Sequence, residues 1–408
     1  MKRILFFTFM SSIILISCNL FNSGGKKPAP QPFPEDMELE AKSVVASNNE
    51  FGFDLFKKLY QDNSAENMMI SPTSISLALA MTYNGAEGET QTAFENTLHL
   101  TDLSRDQINT IYKNLQNYLK RTDPKIRLNI ANSVWSKQGT NVEEEFKKNI
   151  REFYNAEFHI KNFSDPSTLN TINNWVEDNT EGKIQNILNK IDSDAFMYLI
   201  NAIYFKGEWT NPFDVKNTYS GIFTNEEGVT STANYMTTSM QANHLNNDIF
   251  TALELPYGNK DYSMVILLPN ENKKIADIVD QLNDSNWNQW MSSFSRPELN
   301  VHLPKFKFKY KQELNDVLIQ LGLENPFSDA ANFSGISKDS PLKVSRVIHQ
   351  SFIEVNEEGT EAAAATVVQV GVTSAGPPNV IKLNKPFFFA IKEKQTNSIV
   401  FMGTLRKP

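Results

Sequence analysis

The side chains best suited to metal binding or nucleophilic attack in this 408-residue chain are five histidines (His99, His159, His244, His302 and His349) and one cysteine, Cys18. The histidines never recur at the short spacings that put two ligands on one face of a helix or strand, so no metal site is indicated and each reads as a structural residue. A single cysteine excludes internal disulfides, a four-cysteine zinc site and a CxxC redox pair. No GxSxG nucleophile elbow, HExxH, P-loop or GxGxxG fingerprint is present. Ser340-Pro341-Leu342-Lys343 has the form of the SxxK of penicillin-binding enzymes, but the SDN and KTG that complete that machinery are missing, and the match is one of chance. Glu143-Glu144-Glu145 leads into Phe146-Lys147-Lys148, where i to i+4 pairing on a solvated helix accounts for the charges without a catalytic carboxylate pair. No catalytic constellation is complete, and no cofactor is called for.

The elements around these residues are mixed. Phe51, Leu55, Phe56, Leu59 and Tyr60 recur at helical spacing, and Ser71-Pro72 opens a second helix with an N-cap serine and a first-turn proline, ending near Gly85. Ile172 to Leu188, interrupted by Gly182, is expected to be a helix ending in a turn. Tyr262 to Leu268 is a strand-length apolar run closed by Pro269-Asn270, and Phe387–Ile391 facing Ile399–Leu405 across a polar turn signals a hairpin. With no internal repeat and no second linker, residues 37–408 are expected to form one large α+β domain.

Lys plus Arg is 39 against 47 Asp plus Glu, a net charge of −8, so neither nucleic acid nor a general polyanion has electrostatic support as a partner. Lys2 and Arg3 precede an apolar run from Ile4 to Ile16, too short for a usual membrane span but right for a secretory signal. The run ends Leu15-Ile16-Ser17-Cys18, which resembles the bacterial lipobox, where the chain is cut before cysteine and the thiol is acylated. Residues 1–17 are then a lipoprotein signal peptide and Cys18 the lipid anchor to a bacterial cell envelope, an outer membrane or cell surface rather than an inner membrane; the alternative is a signal peptide with an unmodified cysteine. Residues 18–36, with Gly24-Gly25-Lys26-Lys27 and four prolines, have the composition of a tether.

The most informative stretch is Glu357-Glu358-Gly359-Thr360-Glu361-Ala362-Ala363-Ala364-Ala365-Thr366, followed by Val367, Val368 and Val370. Alanine favours helix and the β-branched residues favour strand, so composition alone also fits an exposed loop or helix end. As a strand, one face carries Thr360, Ala362, Ala364, Thr366, Val368 and Val370, small or apolar throughout, and such a segment can enter a closed sheet without burying charge.

This segment resembles the hinge of a serpin reactive-centre loop, and the likeness extends along the chain. Asn67 to Leu98, with Ser71-Pro72-Thr73-Ser74-Ile75-Ser76 and Asn84-Gly85-Ala86, resembles the second serpin helix and the segment after it. Ile172 to Leu188, Leu199 to Trp209 with Pro212-Phe213, Leu255-Pro256-Tyr257, and Asn384-Lys385-Pro386-Phe387 match further family sequences in order. The resemblance implies three sheets, about nine helices, an exposed loop at about 358–379, and inhibition of a serine protease by trapping its acyl-enzyme. The inserted strand of about 15 residues would span roughly 50 Å. A monomer with no cofactor is expected, and the native state must be metastable.

By the same resemblance Glu357, Gly359, Thr360 and Ala362, Ala363, Ala364 and Ala365 form the hinge. Ser71, Ser74, Asn201 and His349 match the shutter beneath the sheet's centre, with His349 a gate rather than a base. Trp209 matches the breach tryptophan, and Lys305 with Glu357 a salt bridge bracing it. Counting forward from Gly359 places the cut at Thr373, before Ser374; counting back from Asn384 gives Ala375, because the loop is two residues longer than a common family length. Val372 also stays a candidate. Between Gly359 and Asn379 there is no Lys, Arg, Phe, Tyr or Leu, which points away from trypsin-like and chymotrypsin-like pockets and toward elastase-like or subtilisin-like proteases. The alternative is a non-inhibitory serpin-fold binding protein whose loop is only a protease substrate.

Overall fold

The computed structural model describes residues 38–62, 65–339, 341–360 and 379–408. Cys18, the signal and tether segments, Ser340, Ala362–Ala365 and the scissile candidates Val372, Thr373, Ser374 and Ala375 lie outside the described residues. In chain order the helices are α1 (Glu38–Asp62), α2 (Pro72–Tyr83), α3 (Gly88–Thr97), α4 (Arg105–Arg121), α5 (Glu144–Tyr154), α6 (Ser167–Asn179), α7 (Ile275–Val279), α8 (Asp284–Ser292), α9 (Asn315–Gln320) and α10 (Glu324–Phe327). The strands are β1 (Met68–Ile70), β2 (Ile126–Lys137), β3 (Glu157–Lys161), β4 (Met197–Glu208), β5 (Tyr219–Thr224), β6 (Thr230–Gln241), β7 (Asn243–Asn246), β8 (Phe250–Tyr257), β9 (Tyr262–Pro269), β10 (Glu298–Pro304), β11 (Phe306–Glu313), β12 (Arg346–Val355), β13 (Gly359–Thr360), β14 (Asn379–Lys382), β15 (Phe387–Glu393) and β16 (Ile399–Leu405).

They form three sheets: β1-β16-β15-β9-β8-β7, β14-β10-β6-β5, and a large sheet β11-β12-β13-β4-β2-β3 in which β12 also pairs with β4 directly. The expected α+β architecture holds, with ten α-helices among the described residues in place of about nine. The β15–β16 hairpin and the β9 strand form where the apolar runs placed them. Ser71 caps α2, accepting a hydrogen bond from the Ser74 amide, and every residue of α2 is buried, since the helix is enclosed between the large sheet and α1 rather than lying on a surface.

Two local expectations need correction. The apolar residues from Ile172 to Leu188 are not one helix: α6 stops at Asn179, and Glu181, Gly182 and Asn186 all take positive φ. Ile184, Ile187 and Leu188 then fold down in irregular chain to join a second core with Ile172, Val176, Tyr198, Ile200, Ile348 and Phe352, so burial rather than helical period explains their hydrophobicity. In the acidic run the pairing is i to i+3, Lys147 with Glu144, while Glu143 reaches Lys338 in a distant loop.

Candidate functional site

The large sheet has a parallel pair at its middle. β12 and β4 pair from Arg346 with Tyr198 to Ser351 with Ile203, then part, although β12 continues to Val355 and β4 to Glu208. β13 fills the top of the opening: Gly359 pairs with Glu208, and Thr360 pairs with both Gly207 and Val355, antiparallel to each neighbour. Thr360 is only 1% exposed. Gly359 has φ +155°, and a Cβ there would stand 2.1 Å from the Gly207 carbonyl oxygen, so only glycine lets the chain turn in so tightly.

A cluster of side chains holds this turn. The Thr360 and Tyr257 hydroxyls share a hydrogen bond of 2.7 Å, and the Tyr257 ring stacks on Trp209 with centroids 4.3 Å apart and planes 11° from parallel. Trp209 donates its indole N–H to the Asn356 carbonyl at 3.0 Å and its backbone N–H to that of Glu358 at 2.8 Å. The Phe213 amide donates to the Glu357 carbonyl, and Asn356 Oδ1 accepts from the amides of Glu358 and Gly359. Lys305 Nζ lies 2.8 Å from the Glu357 carboxylate, which also accepts from Thr218 Oγ1 at 2.8 Å. Burial pushes the Glu357 carboxyl up, but the hydrogen bonds from Lys305 and Thr218 outweigh it and hold the group below the usual carboxylate range.

Lower in the sheet, Asn132, Asn201 and His349 stand in one row across β2, β4 and β12. His349 Nε2 accepts from the Ser71 amide at 3.2 Å, which leaves the proton on Nδ1 to be donated to Asn201 Oδ1 at 2.8 Å. Asn201 Nδ2 donates to the Ser74 carbonyl at 2.9 Å and to Asn132 Oδ1 at 2.7 Å. Burial pulls His349 down to about 3, so the ring is neutral and has no free nitrogen with which to act as a base. The Asn201–His349 bond crosses the β12–β4 seam, and any strand entering the sheet that far must break it.

The structure therefore gathers Ser71, Ser74, Asn201 and His349 into one network, and Trp209, Lys305, Glu357, Gly359 and Thr360 into another. Sequence spacing gives no sign of Asn132, Asn356 or Thr218, and it marks Tyr257 only as part of Leu-Pro-Tyr; cross-strand register brings Asn132 beside Asn201, while side chains and loops from outside the large sheet bring the other three to β13 and its approach. The histidines lie apart from any metal cluster: among the described residues no group of three or more His, Cys, Asp or Glu could hold an ion.

Fold and site together define an α+β protein whose large sheet keeps a slot for one more strand, with the first step of that strand already in place. Residues 46–408 match the family Serpin (serine protease inhibitor), and the chain belongs to that family. It is 35% identical over 391 residues to human Serpin B11, covering 90% of this chain and 100% of that one. To the bovine leukocyte elastase inhibitor it is 35% identical over 379 residues, 90% of this chain and 100% of that one. Among solved structures, the native thermophilic serpin tengpin superposes with a TM-score of 0.82 at 33% identity, covering 93% of this chain and 96% of that one.

Proposed function

We propose that the protein is a suicide inhibitor of elastase-like or subtilisin-like serine proteases rather than an enzyme. The observation that carries this reading is β13: Gly359 and Thr360 already sit between β12 and β4, in the direction and register that the rest of a hinge would continue. The protease serine attacks the carbonyl of a loop residue, Thr373 in the first instance. The bond to Ser374 breaks, the new amine leaves with a proton, and the loop is held as an acyl ester. Insertion of the small-residue hinge then replaces one parallel β12–β4 ladder by two antiparallel ones and carries the acylated protease away before water reaches the ester. Small and hydroxyl side chains around Thr373 suit a shallow specificity pocket, and kinship with the leukocyte elastase inhibitor points the same way. Ser71, Ser74, Asn201 and His349 act as the gate of the seam, and Trp209 with the Lys305–Glu357 pair braces its mouth. We further propose that the protein is a bacterial envelope lipoprotein anchored through Cys18 and acting as a monomer.

Mixing the protein with pancreatic or neutrophil elastase and with subtilisin tests the reading. A complex stable in denaturing gel, with a released peptide beginning at Ser374, is expected; a peptide beginning at Thr373, Ala375 or Gly376 moves the bond to Val372, Ser374 or Ala375. Clean cleavage with the protease left fully active would favour a non-inhibitory binding protein.

A further inference from the structure

The far side of the large sheet carries a second feature. β11 is its outer strand, pairing with β12 alone among the described strands, so its other edge presents unpaired backbone groups. Its sequence alternates strictly, Phe306-Lys307-Phe308-Lys309-Tyr310-Lys311, so the three lysines share one exposed face and the rings the other. Lys307 is neutralised by Glu354 on β12 at 2.9 Å. Lys309 lies opposite Phe352 and makes no ion pair or hydrogen bond among the described residues, and Lys311 reaches only the Asn186 carbonyl, at 3.5 Å. On the opposite face Phe308 is only partly buried at the rim of the main core.

We propose that this edge binds an extended acidic peptide segment of a partner protein, which adds to β11 as a further strand. Side chains two apart on a strand are separated by about 6.8 Å. An incoming strand with acidic residues at alternate positions therefore sets one carboxylate beside each of Lys309 and Lys311, the two lysines without an acidic partner, and the residue between them falls on the face of Phe308. The backbone supplies the affinity and the alternation supplies the selectivity. Lysines on an edge also repel a second copy of the same edge, so the surface discriminates against self-pairing while remaining complementary to acid.

The experiment uses the full chain and a fluorescein-labelled octapeptide of alternating glutamate and valine, read by anisotropy at low salt. Two controls accompany it: a peptide of the same composition with its glutamates in one block, and the alternating peptide N-methylated at alternate amides. The alternating peptide is expected to bind about tenfold more tightly than either control. The variant Lys309→Glu/Lys311→Glu, which alters only exposed side chains, should weaken it about tenfold and should instead bind a lysine–valine peptide. Equal binding of the alternating and block peptides overturns strand addition in favour of simple charge attraction. Binding unaffected by the double substitution places the peptide elsewhere, in the β12–β4 seam, and overturns the site. No binding at about 1 mM leaves the lysines as a guard against edge pairing and equally overturns it.

Discussion

His349 is neutral in the native protein because its surroundings exclude water and its two nitrogens are already committed, one to the Ser71 amide and one to Asn201. Its depressed basicity has a sign that can be checked. Above pH 6.5 the ring is neutral folded or unfolded; below that the unfolded chain takes up a proton that the native one refuses until about pH 3. Stability contributed by this group is thus complete above 6.5 and lost on acidification, with a slope approaching about 1.4 kcal/mol per pH unit. Urea unfolding of wild type and His349→Gln across this range should show the slope in the difference curve; parallel curves would refute the neutral buried ring. Asn201→Ala leaves Asn132 Oδ1 and the His349 N–H without partners in a buried site, and a loss of about 2–4 kcal/mol is expected by the same measurement.

At the scale of elements, the decisive feature is that β12 and β4 are parallel neighbours with an antiparallel wedge between their ends. Under the proposed mechanism, residues entering behind the wedge would trade weaker parallel pairing for two antiparallel ladders, so the sheet would favour completion once the loop is cut. Thr360 already lies between the two strands, 1% exposed beside Tyr257. Thr360→Arg would force a charge into that position or hold the hinge out, and elastase should then cleave the loop with a stoichiometry of inhibition raised about tenfold or more. An unchanged stoichiometry would mean that β13 is no part of the insertion path. Tyr257→Phe removes one hydrogen bond and keeps the stack on Trp209; a loss of only about 1 kcal/mol in thermal unfolding is expected.

For the whole molecule, loop cleavage should convert the protein to a more stable form without any change of composition. Under the proposed mechanism an inserted strand of about 15 residues would gain hydrogen bonds to both neighbouring strands. The cleaved product should therefore melt about 10 °C or more above the intact one by calorimetry. Equal melting points would show that the hinge does not insert beyond Thr360. The net charge of −8 excludes a general attraction to polyanions but not a local attraction to acidic groups, because lysines alternate along β11.

Much of this was legible in the chain itself. Amphipathic periods, the Ser71-Pro72 cap and the closing hairpin are local properties, written in neighbouring side chains, and together with the ordered motifs they determined the fold class and the family. Tertiary structure decided the rest. The apolar Ile184, Ile187 and Leu188 could not be told from a continuing helix, because period does not distinguish burial by packing from burial by helical face. Nor could spacing reveal that Asn132 supports Asn201, that Tyr257 receives Thr360, or that the row Asn132–Asn201–His349 spans the seam. The asparagine–histidine row arises from the register of strands far apart in sequence, which is set only when the whole sheet has formed, and the Tyr257–Thr360 contact from one sheet meeting another.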